Sequence, residues 1–531
     1  MKLLMLATFV GFTLLVALIS YLKTKGDDTS TKDGYFLAGR GLPGIVICGS
    51  LMMTNISAEQ LVGQNGQSYV STMGVMGWEL FASASLIIFA LFMLPKFLSR
   101  NITTIPEFLE DRFGSSIRRL VAIIFMAAYI ITMLPLILYA GSVVLEQLFD
   151  VSGMLGISRF AAIAICCVSI GIIGSIYAIF GGLRAVAVSD TINGIGLMVG
   201  CAVIVPLLAF AALGGGSLAE GIRLFAHAGE KLNAMAPANA LAPRIPWPLL
   251  LTGMFINGLS YWATNQSIIQ RTFAAKNLAE AQKGSLWTGL LKCVSPLFTV
   301  VPGIIAFLMF GSNLESQDLA YPQLILTVMP KWMLGFFAAV MFGAILSSFN
   351  SVLNSSMTLF TLDILPVISK KKRTDAQLIT IAKRFGIVLW LASIVIAPFL
   401  LYLPAGISTF LNQMWGYYGV PVLAIVVMGI LAPRMPSFAP KLAIVVHIVC
   451  YGLMMNLLPF HFLYFEVGAF VIDIILMAVL TKAAPRKEAY VLPDLEVVDM
   501  TPWKYRMPVI AVTFVLLIAI YVVFSPLGLG G

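Results

Sequence analysis

Two hydroxyls on one helical turn, Ser347 and Ser348, sit in the apolar run Gly343-Ala344-Ile345-Leu346-Ser347-Ser348. The main-chain carbonyl of Ala344, one turn earlier, falls on the same side of such a helix. Na⁺ is a hard cation that takes oxygen ligands. A second source of oxygens is Met53-Thr54-Asn55-Ile56-Ser57-Ala58-Glu59-Gln60, inside the apolar stretch 42–69. Unsatisfied polar groups are costly in hydrocarbon, so a spanning segment keeps such a cluster only against protein or water. The pattern predicts a helix broken at Asn55–Ser57. Its freed carbonyls, at Met53 and Ile56, would lie at the negative end of a half-helix dipole. Met53, Ile56, Ala344, Ser347 and Ser348 together would offer a monovalent cation five neutral oxygens. The competing readings are an unbroken helix glued to a neighbour by Asn and Ser, and serines that bond the preceding turn.

Two ionisable residues lie deep in apolar segments: Glu79 in Gly77-Trp78-Glu79-Leu80 and Lys292 in Leu290-Leu291-Lys292-Cys293. A charge at the bilayer centre costs about 2.5–3.5 kcal/mol on insertion scales, so such groups face an interior cavity and are usually paired. Beside Gln60, Asn257 and the rings of Trp78, Tyr261 and Trp262, they suit a neutral polyol. Hydroxyls need donors and acceptors, and sugar rings stack on aromatic faces. The alternative is a structural Glu79–Lys292 bridge. Asp190, near the inner end of its span, either receives an ion leaving inward or caps a helix. Glu466 and Asp473, on a late span, receive no role.

These groups need helices to hold them in a membrane. The chain has 531 residues, 60% hydrophobic and 11% charged, too apolar for a soluble core of this size. It reads as an all-α polytopic membrane protein. About fourteen spans are expected, near 3–22, 42–69, 71–98, 119–148, 158–180, 184–213, 247–271, 279–311, 331–365, 379–403, 407–432, 440–459, 462–481 and 507–525. The first is read as a helix, not a signal peptide, because no small-x-small cleavage site follows. The +9 net charge does not point to nucleic acid. With loops assigned alternately, about 26 of the 33 Lys and Arg fall in inner loops, Arg271 and Lys370 among them. Both termini then lie outside. The segment 482–506, with Pro485, Pro493 and Pro502, reads as a tethered inner loop. Six apolar-flanked Cys, three scattered His and no phosphate loop argue against a metal cluster, a disulfide framework and ATP-driven pumping. No nucleophile–base pair sits at midspan, so an enzyme is not expected.

A second interrupted helix is expected over Pro246–Thr272. It holds Asn257-Gly258, Tyr261-Trp262 and Thr264-Asn265-Gln266 at midspan. Two breaks five helices apart are what a five-plus-five inverted repeat predicts, with cargo bound between the repeats. The parts are 1–41, an extra helix and inner loop; 42–213, the first repeat; 214–246, an external loop; 247–435, the second repeat; and 436–531, about three extra helices.

Several motifs together carry a family likeness. Tyr35-Phe36-Leu37-Ala38-Gly39-Arg40, Asn55-Ile56-Ser57-Ala58-Glu59-Gln60, Ile269-Gln270-Arg271-Thr272 with Ala274-Ala275-Lys276, and Ser347-Ser348 with Asn354-Ser355 resemble the solute:sodium symporter family. They look most like its bacterial sodium/galactose and glucose branch. The resemblance implies a LeuT-like fold, one helix before the core, and Na⁺-coupled symport of a monosaccharide such as galactose or glucose across a bacterial inner membrane. It places sodium on Met53, Ile56, Ala344, Ser347 and Ser348. It places sugar on Gln60, Glu79 and Lys292, an inner gate on Tyr261 beside Trp262, and a late-helix contact on Asn412 or Gln413. Trp78 stands where the galactose branch has Tyr, while Gly258 and Ala82 depart from that branch's polar residues. The rivals are another polyol, a sugar acid or an amino acid as cargo, and a sugar sensor that does not transport.

Overall fold

The computed structural model describes residues 2–25, 30–369, 371–402, 406–491 and 495–531. Lys370 and Pro493 lie outside them, as does the side chain of Lys2. The described chain is helical, with two isolated bridges as its only extended pairings. Ten helices are long and apolar enough to cross a bilayer, or twelve if each of two bent pairs is one span. The other two expected spans are shorter or segmented. One is Arg159–Ser175, an apolar stretch of the 39-residue helix Arg159–Leu197. A Cβ on Gly174 would lie 3.3 Å from Asn350 Oδ1, and one on Gly343 lies 2.5 Å from Asn193 Oδ1. From 174 to 193 a straight helix advances about 28 Å, but from 343 to 350 only about 10 Å. The long helix is therefore bent between those points, and the two expected spans are its arms.

The helix Gly44–Asn55 starts after Pro43 and stops where Ile56 leaves helical geometry (φ −86°, ψ 87°). Ala58–Val70 resumes at a bend of 55°. The predicted break thus falls at Ile56–Ser57. The second interruption is not at Asn257-Gly258: the helix Phe255–Thr264 runs through both. It falls at Asn265, whose backbone is extended (ψ 115°) and whose side chain accepts from the Ser267 N–H. A third break was not expected. Leu278–Lys292 and Pro296–Phe310 meet at 51°, directly after Lys292. Pro296 has no N–H to continue the first helix.

These pieces pack around Leu334–Thr358, which is buried along nearly its whole length. The first span and the last, Arg506–Val523, lie at the periphery, with most residues facing outward. Arg271 is not a loop charge: it is fully buried in Gln266–Phe273. The 482–506 segment is tied down by backbone bonds, from Arg486 N–H to Arg434 O at 2.8 Å and Tyr490 N–H to Pro433 O at 2.9 Å.

Outside the spans, the turn Gln317–Leu319 docks on Ala58–Val70 at Gly66, where a Cβ would lie 2.7 Å from Gln317 O. Burial pushes the half-buried Asp318 carboxyl up from 3.8 to about 6, with the Ile407 N–H opposing. Between about pH 4 and 6 the folded chain binds more protons than the unfolded one, so docking of this turn weakens as pH rises through that window. Amide exchange across 316–320, corrected for intrinsic rate, should be slower at pH 5 than at pH 7.5. Asp318→Asn should remove the difference, and a difference that persists would clear Asp318 of the effect.

Candidate functional site

The break at Ile56 exposes backbone acceptors. Among the described residues, the carbonyls of Met53, Thr54 and Ile56 accept no backbone N–H. Ser348 faces them from Leu334–Thr358 and donates to Thr54 O at 2.9 Å and, more weakly, toward Met53 O at 3.5 Å. Thr54 was not among the expected ligands. No contact is recorded for the Ile56 carbonyl. Ser347 Oγ is buried on the side of Asp190, with no partner within strict hydrogen-bond geometry among the described residues, and Ala344 is fully buried one turn before Ser348. At the gap between the broken helix and the intact one, Ser348 Oγ thus meets the carbonyls freed at the break, with Ser347 beside it on the same intact helix.

Asp190 lies beside this gap. Ser50 Oγ donates to its Oδ2 at 2.7 Å, while Oδ1 has no partner. Arg271 stands 3.8 Å from Oδ2 and donates to Ser50 Oγ at 2.6 Å and to Ser351 Oγ. Ser351 Oγ in turn donates to Ser347 O at 2.6 Å. Asp190 is therefore no helix cap. It is one end of a buried ion pair next to the gap.

A cavity opens on the other side of the same break. Gln60, Trp78, Glu79, Asn257, Tyr261, Trp262 and Asn412 all line it, as expected. Gln413 does not, and its carbonyl instead accepts from Tyr451 OH at 3.1 Å. One residue along a helix is a turn of about 100°, enough to carry a side chain off the lining. Lys292 sits behind the wall and donates to Glu79 Oε2 at 2.6 Å. Glu79 Oε1 also accepts from Gln64 Nε2 at 2.9 Å, and Gln64 reaches Gln60 Oε1 at 3.2 Å. The Lys292 ammonium lies 5.5 Å from the Trp262 ring.

Sequence reasoning missed the residue that joins the two halves. Asn55 lines the cavity, and its Oδ1 accepts from Lys292 Nζ. Its position in the break was the available signal. It also missed Trp415, which lines the cavity, packs edge-on to Tyr261 at 5.3 Å and donates to Ser260 Oγ at 2.6 Å. Beyond Tyr261, the Tyr129 hydroxyl donates to Asn265 Oδ1 at 2.5 Å, and both side chains are fully buried. The result is a set of freed carbonyls facing Ser348 on one side of the helix break and a cavity lined by polar and aromatic side chains on the other.

Known proteins resemble the chain in sequence and in fold. The chain is 43% identical over 510 residues to an uncharacterized symporter, YidK, of Escherichia coli, covering 95% of this chain and 88% of that protein. It is 31% identical over 478 residues to a sodium/glucose cotransporter of Vibrio parahaemolyticus, covering 85% and 84%. A Na⁺-coupled sialic acid symporter, solved in a substrate-bound outward-open state, superposes with a TM-score of 0.79 at 23% identity, over 92% of this chain and 99% of that one. The sodium:solute symporter family matches residues 35–438, and the chain belongs to that family: a Na⁺-coupled transporter of LeuT-like fold, not an enzyme.

Proposed function

We propose that the chain carries a neutral cyclic polyol, a monosaccharide or a close relative, into a bacterial cell together with Na⁺. The observation that carries this reading is the charge balance of the cavity. Lys292, behind the wall, is already matched by Glu79; the lining holds one further carboxyl, Glu59, which accepts from Ser57 Oγ, and is otherwise amide, hydroxyl, ring and apolar, with no unmatched cation among the described lining residues. A cargo with its own charge would break that pair or go unpaired. An amino acid or sugar acid fits less well for that reason. The name of the Vibrio relative points the same way.

In this reading Na⁺ binds Met53, Ile56, Ala344, Ser347 and Ser348, with Thr54 O a sixth oxygen. It replaces the Ser348 proton as the link between the break and Leu334–Thr358 and holds the outward-facing form. Asn55 then presents its side chain to Lys292, and cargo binds among Gln60, Glu79, Asn257, Asn412 and the rings of Trp78 and Trp262. Tyr261, backed by Tyr129 and Asn265, closes the inner route. Inward opening parts Ser348 from the break, and the ion leaves past Asp190. The two repeats, 42–213 and 247–435, are the bodies that rock, and both termini face the periplasm.

Labelled glucose, galactose and myo-inositol, offered to proteoliposomes with and without an inward Na⁺ gradient, test the cargo class. At least one should accumulate only with the gradient. Binding without counterflow would make the protein a sensor, and uptake of charged cargo alone would remove the polyol. Ser348→Ala should raise the Na⁺ concentration for half-maximal uptake about tenfold, the worth of one hydrogen-bonding ligand. Unchanged sodium activation would remove this ion site. Lys292→Ala strands a buried carboxylate at a cost of about 3–5 kcal/mol, so the paired variant Lys292→Met with Glu79→Gln is the cleaner probe. It should fold, by size exclusion and melting, and lose uptake. Wild-type uptake in that variant would make the pair structural.

A further inference from the structure

Glu466 lies on Phe462–Ala483, beyond residue 438 where the family match ends. It is fully buried, and among the described residues no cation pairs with it. Its partner is a lining residue of the cavity: Asn257 Nδ2 reaches Oε1 and Oε2 at 3.2 Å each. The amide nitrogen lies at equal distance from both carboxyl oxygens, the arrangement of one donor shared by two acceptors. Nitrogen and oxygen lie on opposite sides of an amide. The atom Asn257 leaves toward the cavity is therefore Oδ1, an acceptor only.

The approach is tight from the far side as well. A Cβ on Gly416, one turn beyond Asn412, would lie 2.9 Å from Glu466 Oε1 and 2.5 Å from the Tyr451 hydroxyl. Only a glycine leaves room for the carboxylate to reach across to Asn257. Burying a carboxylate in a membrane with one amide as its partner is costly. A packing role needs no polar group at that position, whereas two carboxyl oxygens that both face Nδ2 fix the orientation of the amide.

We infer that Glu466, on a helix outside the ten-helix core, is a positioning residue that sets cargo specificity by locking Asn257 with its acceptor toward the cavity. The cargo must then offer a hydrogen-bond donor at that point. A hydroxyl satisfies it, and a fluorine in the same place does not. The inference rests on the polyol reading above, with Asn257 as a cargo contact.

The experiment uses the full chain in proteoliposomes with glucose, galactose, myo-inositol and the matching monodeoxyfluoro compounds. For the wild type, replacing one particular hydroxyl by fluorine should cost about 100-fold in kcat/KM, because a buried acceptor is left unpaired. In Glu466→Gln the new amide can donate to Asn257 Oδ1 and let the side chain turn over. The fluorine penalty at that one position should then fall to about tenfold or less, mostly through KM, with the other positions unmoved. Gly416→Ala, which drives a methyl toward Oε1, is the second variant and should shift the same ratio. Loss of turnover with the fluorine ratio intact in both variants would make Glu466 structural and overturn the inference alone. Absence of uptake of all three polyols by the wild type would remove the cargo reading and this inference with it.

Discussion

The molecule depends on one residue leaving helical geometry. At Ile56 the backbone turns away, and three carbonyls that a helix would have consumed are left as acceptors deep in the protein. In lipid that would be costly, so the surroundings must satisfy them. Ser348 does so for Thr54, while the Asn55 side chain turns the other way to Lys292. Consecutive residues thus report to opposite sides. Whatever grips the carbonyl side shifts the position of Asn55, and whatever grips Lys292 or Asn55 shifts the carbonyls. Linkage of that kind is reciprocal by thermodynamic necessity, and here it needs no pathway longer than one residue.

Four acidic side chains buried in the protein face a cationic or protonatable partner. Lys292 faces Glu79, Arg271 faces Asp190, Arg118 faces Asp363, and His447 faces Asp473. The last pair can be read for protons. His447 Nε2 sits 2.9 Å from the Gly416 carbonyl, which only accepts, so Nε2 carries a hydrogen. Nδ1 and Asp473 Oδ2, 2.7 Å apart, then share one more, and the pair is neutral overall wherever that proton lies. Neutral pairs are what a low-dielectric interior tolerates. Removing one member is far more costly than removing both. Other buried charges have only neutral partners among the described residues: Glu59 accepts from Ser57, Glu146 from Ser152, Arg112 donates to the carbonyls of Gly429 and Ala432, and Glu466 faces the amide of Asn257.

Legibility followed local chemistry. The first break could be read because Thr, Asn, Ser, Glu and Gln crowd one apolar span, and no intact helix would carry them without cause. The second falls inside the expected stretch Pro246–Thr272, but which of its polar groups breaks the helix is settled by tertiary contacts. Asn257 and Asn265 are the same residue type, but Glu466 engages the first from a distant helix, while Tyr129 and the Ser267 N–H engage the second. Nothing within either window separates them. The bend after Lys292 did have a local signal in Pro296, masked by the long apolar run around it. Arg271 beside Lys276 read as a loop charge because its partners, Asp190 and Ser351, are about 80 residues away on either side.

A rigid wall and a jointed partner divide the work of such a transporter. Leu334–Thr358 contributes two hydroxyls from an unbroken, buried helix, so those oxygens are fixed relative to one another. The break contributes carbonyls whose spacing depends on the 55° angle between its half-helices. A cation that needs all of them at bonding distance selects one value of that angle. Its ligand set therefore acts as a gauge of conformation, not only as a container. The same angle places Asn55 and Gln60, on opposite halves of the break, relative to Glu79 and Lys292. In the proposed mechanism, occupancy of the gap would set the angle and the angle would set the fit of the cargo.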